Sequence, residues 1–204
     1  MDETNTGSSE PARELQESTT QAEVGNKPKL ESINHHIQNN QTNHDGRVET
    51  KREKYLIFSI IDETYGLPLS SVKEVIGLSP ITKVPNVPEY FKGLINLRGQ
   101  IISVIDLRAK LNLPKADYRE KKTCIIILEL DGFILGIIVD DVSAVAGFMS
   151  SQIQRNLDIQ SKVSKEFVNG VAKTDNKKLT ILLNPENVLN VDELKMLKTA
   201  QMAA

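Results

Sequence analysis

Gly93-Leu94-Ile95-Asn96-Leu97-Arg98-Gly99-Gln100-Ile101-Ile102-Ser103-Val104-Ile105-Asp106-Leu107 carries the strongest structural signal in this chain of 204 residues. Two glycines bracket a short polar tip, Asn96-Leu97-Arg98, and the run that follows is β-branched and apolar. That order predicts strand, tight turn, strand, with one arginine at the corner. Two readings of Arg98 are open. In one it is a solvated or structurally paired turn residue, and its glycines merely permit positive φ. In the other the corner forms or props up a surface that recognises another protein.

Upstream of the corner, residues 55–61 and 65–69 predict two strands around a turn at Asp62-Glu63-Thr64, with Pro68 marking an edge or a bulge. Ser70-Ser71 suits a single helical turn before a strand at residues 72–76. Residues 77–87 form a turn-rich connection, and residues 88–91 a short helix stopped by Gly93. Downstream, Asp106 is placed to cap a short helix that ends before Pro114. After the charged link 115–122 come strands at 123–130 and 133–139, joined at Asp131-Gly132. A helix is expected beyond Asn184-Pro185, with Leu189, Leu194 and Leu197 as its apolar stripe.

The chain repeats itself. Laying Gly136 on Gly66, a shift of 70 residues, matches Ile137, Val139, Val142 and Val145 to Leu67, Leu69, Val72 and Val75. Laying Gly170 on Gly93, and residues 179–184 on 101–106 after a one-residue insertion, extends the match. Internal similarity of this kind implies two similar β units. Short strands with only short helices indicate small antiparallel barrels or a sandwich, and closing each unit removes exposed edges.

Composition narrows the function classes. The chain is 39% apolar and 25% charged, within ordinary globular usage. Residues 1–54 hold 10 acids and 7 bases, residues 55–204 hold 17 and 18, so neither part argues for nucleic acid. All nine aromatic residues lie from Tyr55 onward, and residues 1–52 read as a disordered polar tail, with 53–198 as the folded domain and 199–204 as a frayed end. All three histidines, His35, His36 and His44, fall in that tail. The single cysteine, Cys124, lies in an apolar strand and allows no internal disulfide. No secretory signal and no apolar run near the ~20 residues a membrane span needs are visible, which fits a cytoplasmic protein without direct membrane insertion. The folded part lacks histidine and tryptophan, so Ser-His-Asp and Cys-His chemistry have no residues there. Asp140-Asp141 reads as a solvated strand end. No enzyme activity, cofactor or metal site is expected. Contact with other proteins is what the residues leave.

Residues 55–58, 65–69, 72–75, 92–99, 104–108 and 136–142 together resemble CheW-like domains, the coupling module of bacterial chemotaxis. The combination of Asn96-Leu97-Arg98-Gly99 with a following strand that ends in Asp106-Leu107-Arg108 carries most of that resemblance. It implies a mainly β fold of two packed five-stranded SH3-like barrels, with a few short helices and a C-terminal helix. It also implies a non-enzymatic adaptor that links the cytoplasmic tip of methyl-accepting chemoreceptors to the regulatory domain of the histidine kinase CheA, with other CheW-like domains as neighbours in arrays. The receptor-facing groove would then include Val72, Glu74, Gly93, Asn96, Arg98, Cys124 and Val145, with Glu74 and Arg98 as a salt bridge. Val142 and Met196 would belong to a kinase-facing surface. Three features depart from the pattern: Asp141 where glycine is common, Cys124 where an aliphatic residue is usual, and a long N-terminal segment. The alternatives are an adaptor of this fold in a non-chemotactic kinase pathway, a CheV-type protein lacking its receiver, and, in another class, a small enzyme.

Overall fold

The computed structural model describes residues 27–42, 52–115, 117–118, 122–155, 163–173, 179–189, 193, 195–197 and 199. His44, Leu194 and residues 200–204 lie outside them. Among these residues eleven strands follow one helix: α1 (Lys27–Thr42), β1 (Arg52–Ile60), β2 (Glu63–Pro68), β3 (Val72–Gly77), β4 (Phe91–Leu97), β5 (Gln100–Asp106), α2 (Leu107–Lys110), β6 (Cys124–Leu130), β7 (Phe133–Val139), β8 (Asp141–Met149), β9 (Ile153–Gln154), β10 (Val168–Lys173) and β11 (Leu179–Leu183).

The strands form two sheets, ordered β8-β1-β2-β11-β10-β9 and β3-β6-β7-β5-β4. Alternation along the strands explains how they pack. On β6, Ile125 and Ile127 turn inward to a small cluster with Ile95, Ile102, Val104 and Ile138, while Cys124, Ile126 and Leu128 turn to a large core shared with the other sheet. On β1, Tyr55 and Ile57 join Phe148, Ile153, Ala172 and Leu182 inside the other sheet, and Leu56, Phe58 and Ile60 face the shared core. Each sheet therefore curls around its own interior and presents its outer face to its neighbour, which makes two packed barrels. One has five strands; the other has six, because Ile153–Gln154 pairs with β10. Its counterpart in the five-stranded sheet is only a single bridge, Thr82 to Leu94.

The two repeats are visible in the pairing, but they do not coincide with the two barrels. The hairpin β1–β2 of the first repeat pairs with β8 and, in parallel, with β11. The hairpin β6–β7 of the second pairs with β3 and, in parallel, with β5. Each barrel is thus a hairpin from one repeat completed by strands of the other. At both parallel seams a glycine allows the close approach. A Cβ on Gly66 would lie 2.9 Å from Leu182 Cδ2, and one on Gly136 would lie 2.9 Å from Ile125 Cγ2 and 3.2 Å from Val104 Cγ2. Pro68 lies beyond the two-residue pairing with β11, so its missing N–H leaves no partner wanting on that side.

Turn and cap chemistry sets the remaining elements. Asp106 accepts from the Arg108 and Ala109 backbone N–H groups to start α2, and Asn184, its counterpart, accepts from Glu186 at the 3-10 turn Pro185–Asn187. Residues 193, 195–197 and 199 are helical, and Leu197 is buried in the shared core. The short helix expected at residues 88–91 is instead a turn closed by Phe91 N–H donating to Pro88 O, because Phe91 already begins β4.

Residues 27–42 correct the expectation of a disordered segment running to residue 52. They form α1, whose Ile33 and Ile37 are 5% and 0% exposed and belong to the shared core. Leu30, Ile33 and Ile37 recur at helical spacing, and docking against the barrels supplies the stabilisation that so polar a segment lacks by itself. The rest of that segment, residues 1–26 and 43–51, lies outside the described residues.

Candidate functional site

Arg98 and Gly99 turn the β4–β5 hairpin with φ of 53° and 87°, both left-handed values that suit a two-residue turn matching strand twist. Asn96 Oδ1 accepts from Gly99 N–H at 2.8 Å and fixes that turn. The guanidinium then reaches across to Glu74 on β3, with Nη1 and Nη2 donating to the two carboxylate oxygens at 3.1 and 2.9 Å. A planar fork facing a carboxylate gives this pair direction as well as charge. β3 and β4 are the outermost strands of their sheet, so the pair closes that barrel at one end. The Arg98 side chain is 77% exposed and that of Glu74 20%, so water screens the attraction and its worth is mainly geometric.

Gly93 lies deeper in the same hairpin with φ of 139°, where a Cβ would fall 2.0 Å from Thr82 O. The position admits only glycine because Thr82 and Leu94 exchange backbone bonds of 2.8 Å directly over it.

The outer edges of β3 and β8, the end strands of the two barrels, face α1, which packs on both and on the 3-10 turn Leu69–Ser71. Asn34 treats β3 as a neighbouring strand would: its Nδ2 donates to Val75 O at 2.9 Å and its Oδ1 accepts from Val75 N–H at 2.8 Å. Lys29 Nζ donates to Asp141 Oδ1 at 2.7 Å, tying the helix to β8.

The residues expected to line a receptor groove are therefore divided. Val72 and Glu74 lie on β3 and Val145 lies half-buried on β8, all on the strands that α1 covers. Asn96 and Arg98 are exposed at the hairpin corner. Val72 and Cys124 have no exposed side-chain surface, and Gly93 is buried under Thr82, so these three offer no contact area. Cys124 Sγ donates to Lys122 O at 3.1 Å. Val142, expected on a kinase-facing surface, is wholly buried opposite Phe58 on β1. It cannot be an outward contact, because its strand position points into the shared core. Met196 packs half-buried against that same core from the C-terminal helical residues.

Asp140 and Asp141 are not a solvated strand end. Asp140 pairs with the nearly buried Arg108 guanidinium and accepts from Ile61 N–H at 2.7 Å, while Asp141 holds Lys29. Each of the four tyrosines donates its phenol O–H to a carboxylate: Tyr55 to Glu53, Tyr65 to Glu63, Tyr90 to Glu193 and Tyr118 to Asp106. Burial, and then the neighbouring Glu53, pushes the Tyr55 phenol up to about 12. Arg155 bonds Glu53 from beyond β9 and holds its carboxyl below the usual range. No group of three or more metal-ligating side chains is gathered among the described residues. The open cleft beside α2, lined by Lys92, Asp106, Arg108 and Tyr118, is occupied by these internal pairings.

Sequence reasoning missed Asn34, Ile33 and Ile37, because a polar segment without aromatics resembles a linker. The available signal was the spacing of Leu30, Ile33 and Ile37.

The sequence profile of the CheW-like domain matches residues 54–193. A chemotaxis protein CheW of Klebsiella aerogenes is 32% identical over 148 residues, covering 72% of this chain and 88% of that protein. A chemotaxis protein CheW of Bacillus subtilis is 32% identical over 130 residues, 64% of this chain and 83% of that one. The crystal structure of the scaffolding protein TtCheW from Thermoanaerobacter tengcongensis superposes with a TM-score of 0.65 at 36% identity, covering 70% of this chain and 96% of that one.

Proposed function

The chain belongs to the CheW-like domain family, and from that membership we propose that it is a non-enzymatic adaptor coupling methyl-accepting chemoreceptors to the histidine kinase CheA in bacterial chemotaxis. The observation that carries the reading is that β3 and β8, end strands of the two barrels, both pack against one helix, α1. A site that takes α1 through two buried isoleucines and an amide clamp has the chemistry to take a helical element of a receptor. Arg98 and Glu74, beside that site, hold the hairpin that borders it. The regulatory domain of CheA, itself CheW-like, would meet a separate face that includes the C-terminal helical residues around Met196.

An adaptor of this kind works as one rigid body touched by both partners, so receptor state biases kinase geometry without turnover. No described helix is long and apolar enough to cross a membrane, and association with receptor arrays in the cytoplasm would run through the partners. The test is co-sedimentation of the full chain with a receptor cytoplasmic fragment and a CheA-type kinase, with kinase activity read in parallel. Ternary assembly and receptor-dependent kinase activity are expected; absence of binding to both partners overturns the reading.

A further inference from the structure

We propose that α1 is the resident occupant of the helix-docking groove between β3 and β8, and that an incoming amphipathic helix binds there only by displacing it. The partner chemistry follows from what α1 supplies: two aliphatic side chains one helical turn apart, an amide beside them, and a cation one turn before. The amide is the most specific requirement. Asn34 satisfies both backbone groups of Val75 on an end strand whose outward edge has no other strand partner among the described residues. A competitor must replace that pair of bonds, fill the space of Ile33 and Ile37, and answer Asp141 with a positive charge.

The hold on α1 is confined to one face, which makes it exchangeable. Among its described side chains Ile33 and Ile37 are the buried apolar ones, whereas Glu31, Ser32, His35, His36, Gln38 and Asn39 are exposed. The helix carries no acidic residue in its first turn and no basic residue in its last, and Lys27 and Lys29 sit at the end where positive charge is unfavourable. A 16-residue helix so composed does not persist alone, so α1 is helical because it is docked. Residues 43–51 join it directly to β1, the neighbour of β8. After leaving the groove the segment stays tethered, and it competes with any incoming helix at an effective concentration in the millimolar range. Val72, Glu74 and Val145 lie on the strands α1 covers, so identifying the displacing helix with a receptor tip rests on the function proposed above.

The test uses the full chain and its variant Asn34→Ala/Ile37→Ser, with two probes: a fluorescent peptide spanning Lys27–Thr42 and a receptor cytoplasmic fragment. Circular dichroism and melting check that both chains keep their sheets. Loss of the amide clamp and one buried aliphatic group should make the groove available, so each probe binds the variant about tenfold or more tightly than the parent chain. Equal affinity of the peptide for the two chains overturns the proposal. So does equal affinity of a receptor fragment that binds both. If the fragment binds neither chain while the peptide still prefers the variant, the receptor reading fails and the occupied groove is supported. Should the double variant not fold, Asn34→Ala alone removes no apolar group and should still favour both probes by about threefold or more, with equality again overturning the proposal.

Discussion

Glu74 stands on β3 and Arg98 in the turn that ends β4, and their bidentate pair, at 3.1 and 2.9 Å, joins the two outermost strands of one sheet, edges that the strand order keeps furthest apart. The bond lies at the tip of a hairpin whose other end is pinned at Gly93. The pair therefore fixes where the corner sits beside the groove more than it adds to stability.

Charge reversal at Arg98 separates those two effects. Arg98→Glu should change unfolding free energy by less than about 1 kcal/mol, since the pair is largely solvated, and should weaken binding of a receptor cytoplasmic fragment by about tenfold. The exchanged pair Glu74→Arg/Arg98→Glu should recover part of that binding. Titration calorimetry with chemical denaturation reads both quantities, and normal binding by the single variant would remove the corner from the interaction.

Asp140 has the opposite character. It faces Arg108, whose side chain is 5% exposed, and also accepts from Ile61 N–H, where φ is 57° at a β-branched residue. Asp140→Ala leaves a buried guanidinium without its carboxylate and should cost about 3 kcal/mol. A melting temperature within a degree or so of the parent protein would contradict the role assigned to the pair.

Gly93 admits no side chain. Gly93→Ala would press a methyl group into Thr82 O at a φ that L-residues avoid, and should cost more than about 2 kcal/mol. Gly99→Ala has open space around the Cβ and only the positive φ to overcome, so it should cost less. Denaturation midpoints of the two variants give the ranking directly.

Alkaline pH tests the tyrosine–carboxylate pairs. The folded chain holds the Tyr55 proton more tightly than the unfolded chain, because its pKa is raised from 10 to about 12. The stability gained is complete below about pH 10 and is lost as pH rises through about 12. Tyr65 is raised further for the same reasons, burial first and Glu63 second. Phenolate absorbance should therefore lag behind free tyrosine and appear together with loss of the β-sheet signal.

The strands were legible because each one alternates or is apolar on both faces, as β6 is, and because turn residues such as Asp131-Gly132 punctuate them. The repeat was legible through its glycines. What the repeat could not disclose is that β1–β2 and β6–β7 change partners, since pairing between distant strands leaves no local mark. The burial of Val142 was hidden for a related reason: alternation shows that a strand has two faces but not which face meets the other barrel. α1 was missed because its three spaced aliphatic residues sit in an otherwise polar, aromatic-free segment, and the bond of Asn34 to the Val75 backbone, which anchors it, is not announced by any spacing.

The partner exchange between hairpins has a bearing on what one half of this molecule would be. Cut at the link between α2 and β6, each piece would own a hairpin lacking its parallel neighbour, together with three further strands in the first piece and four in the second that lack theirs. Two identical pieces, by contrast, would each supply what the other wants and assemble as a twofold pair. Force applied to one lobe is accordingly felt by the other through main-chain bonds, and not merely across a greasy seam.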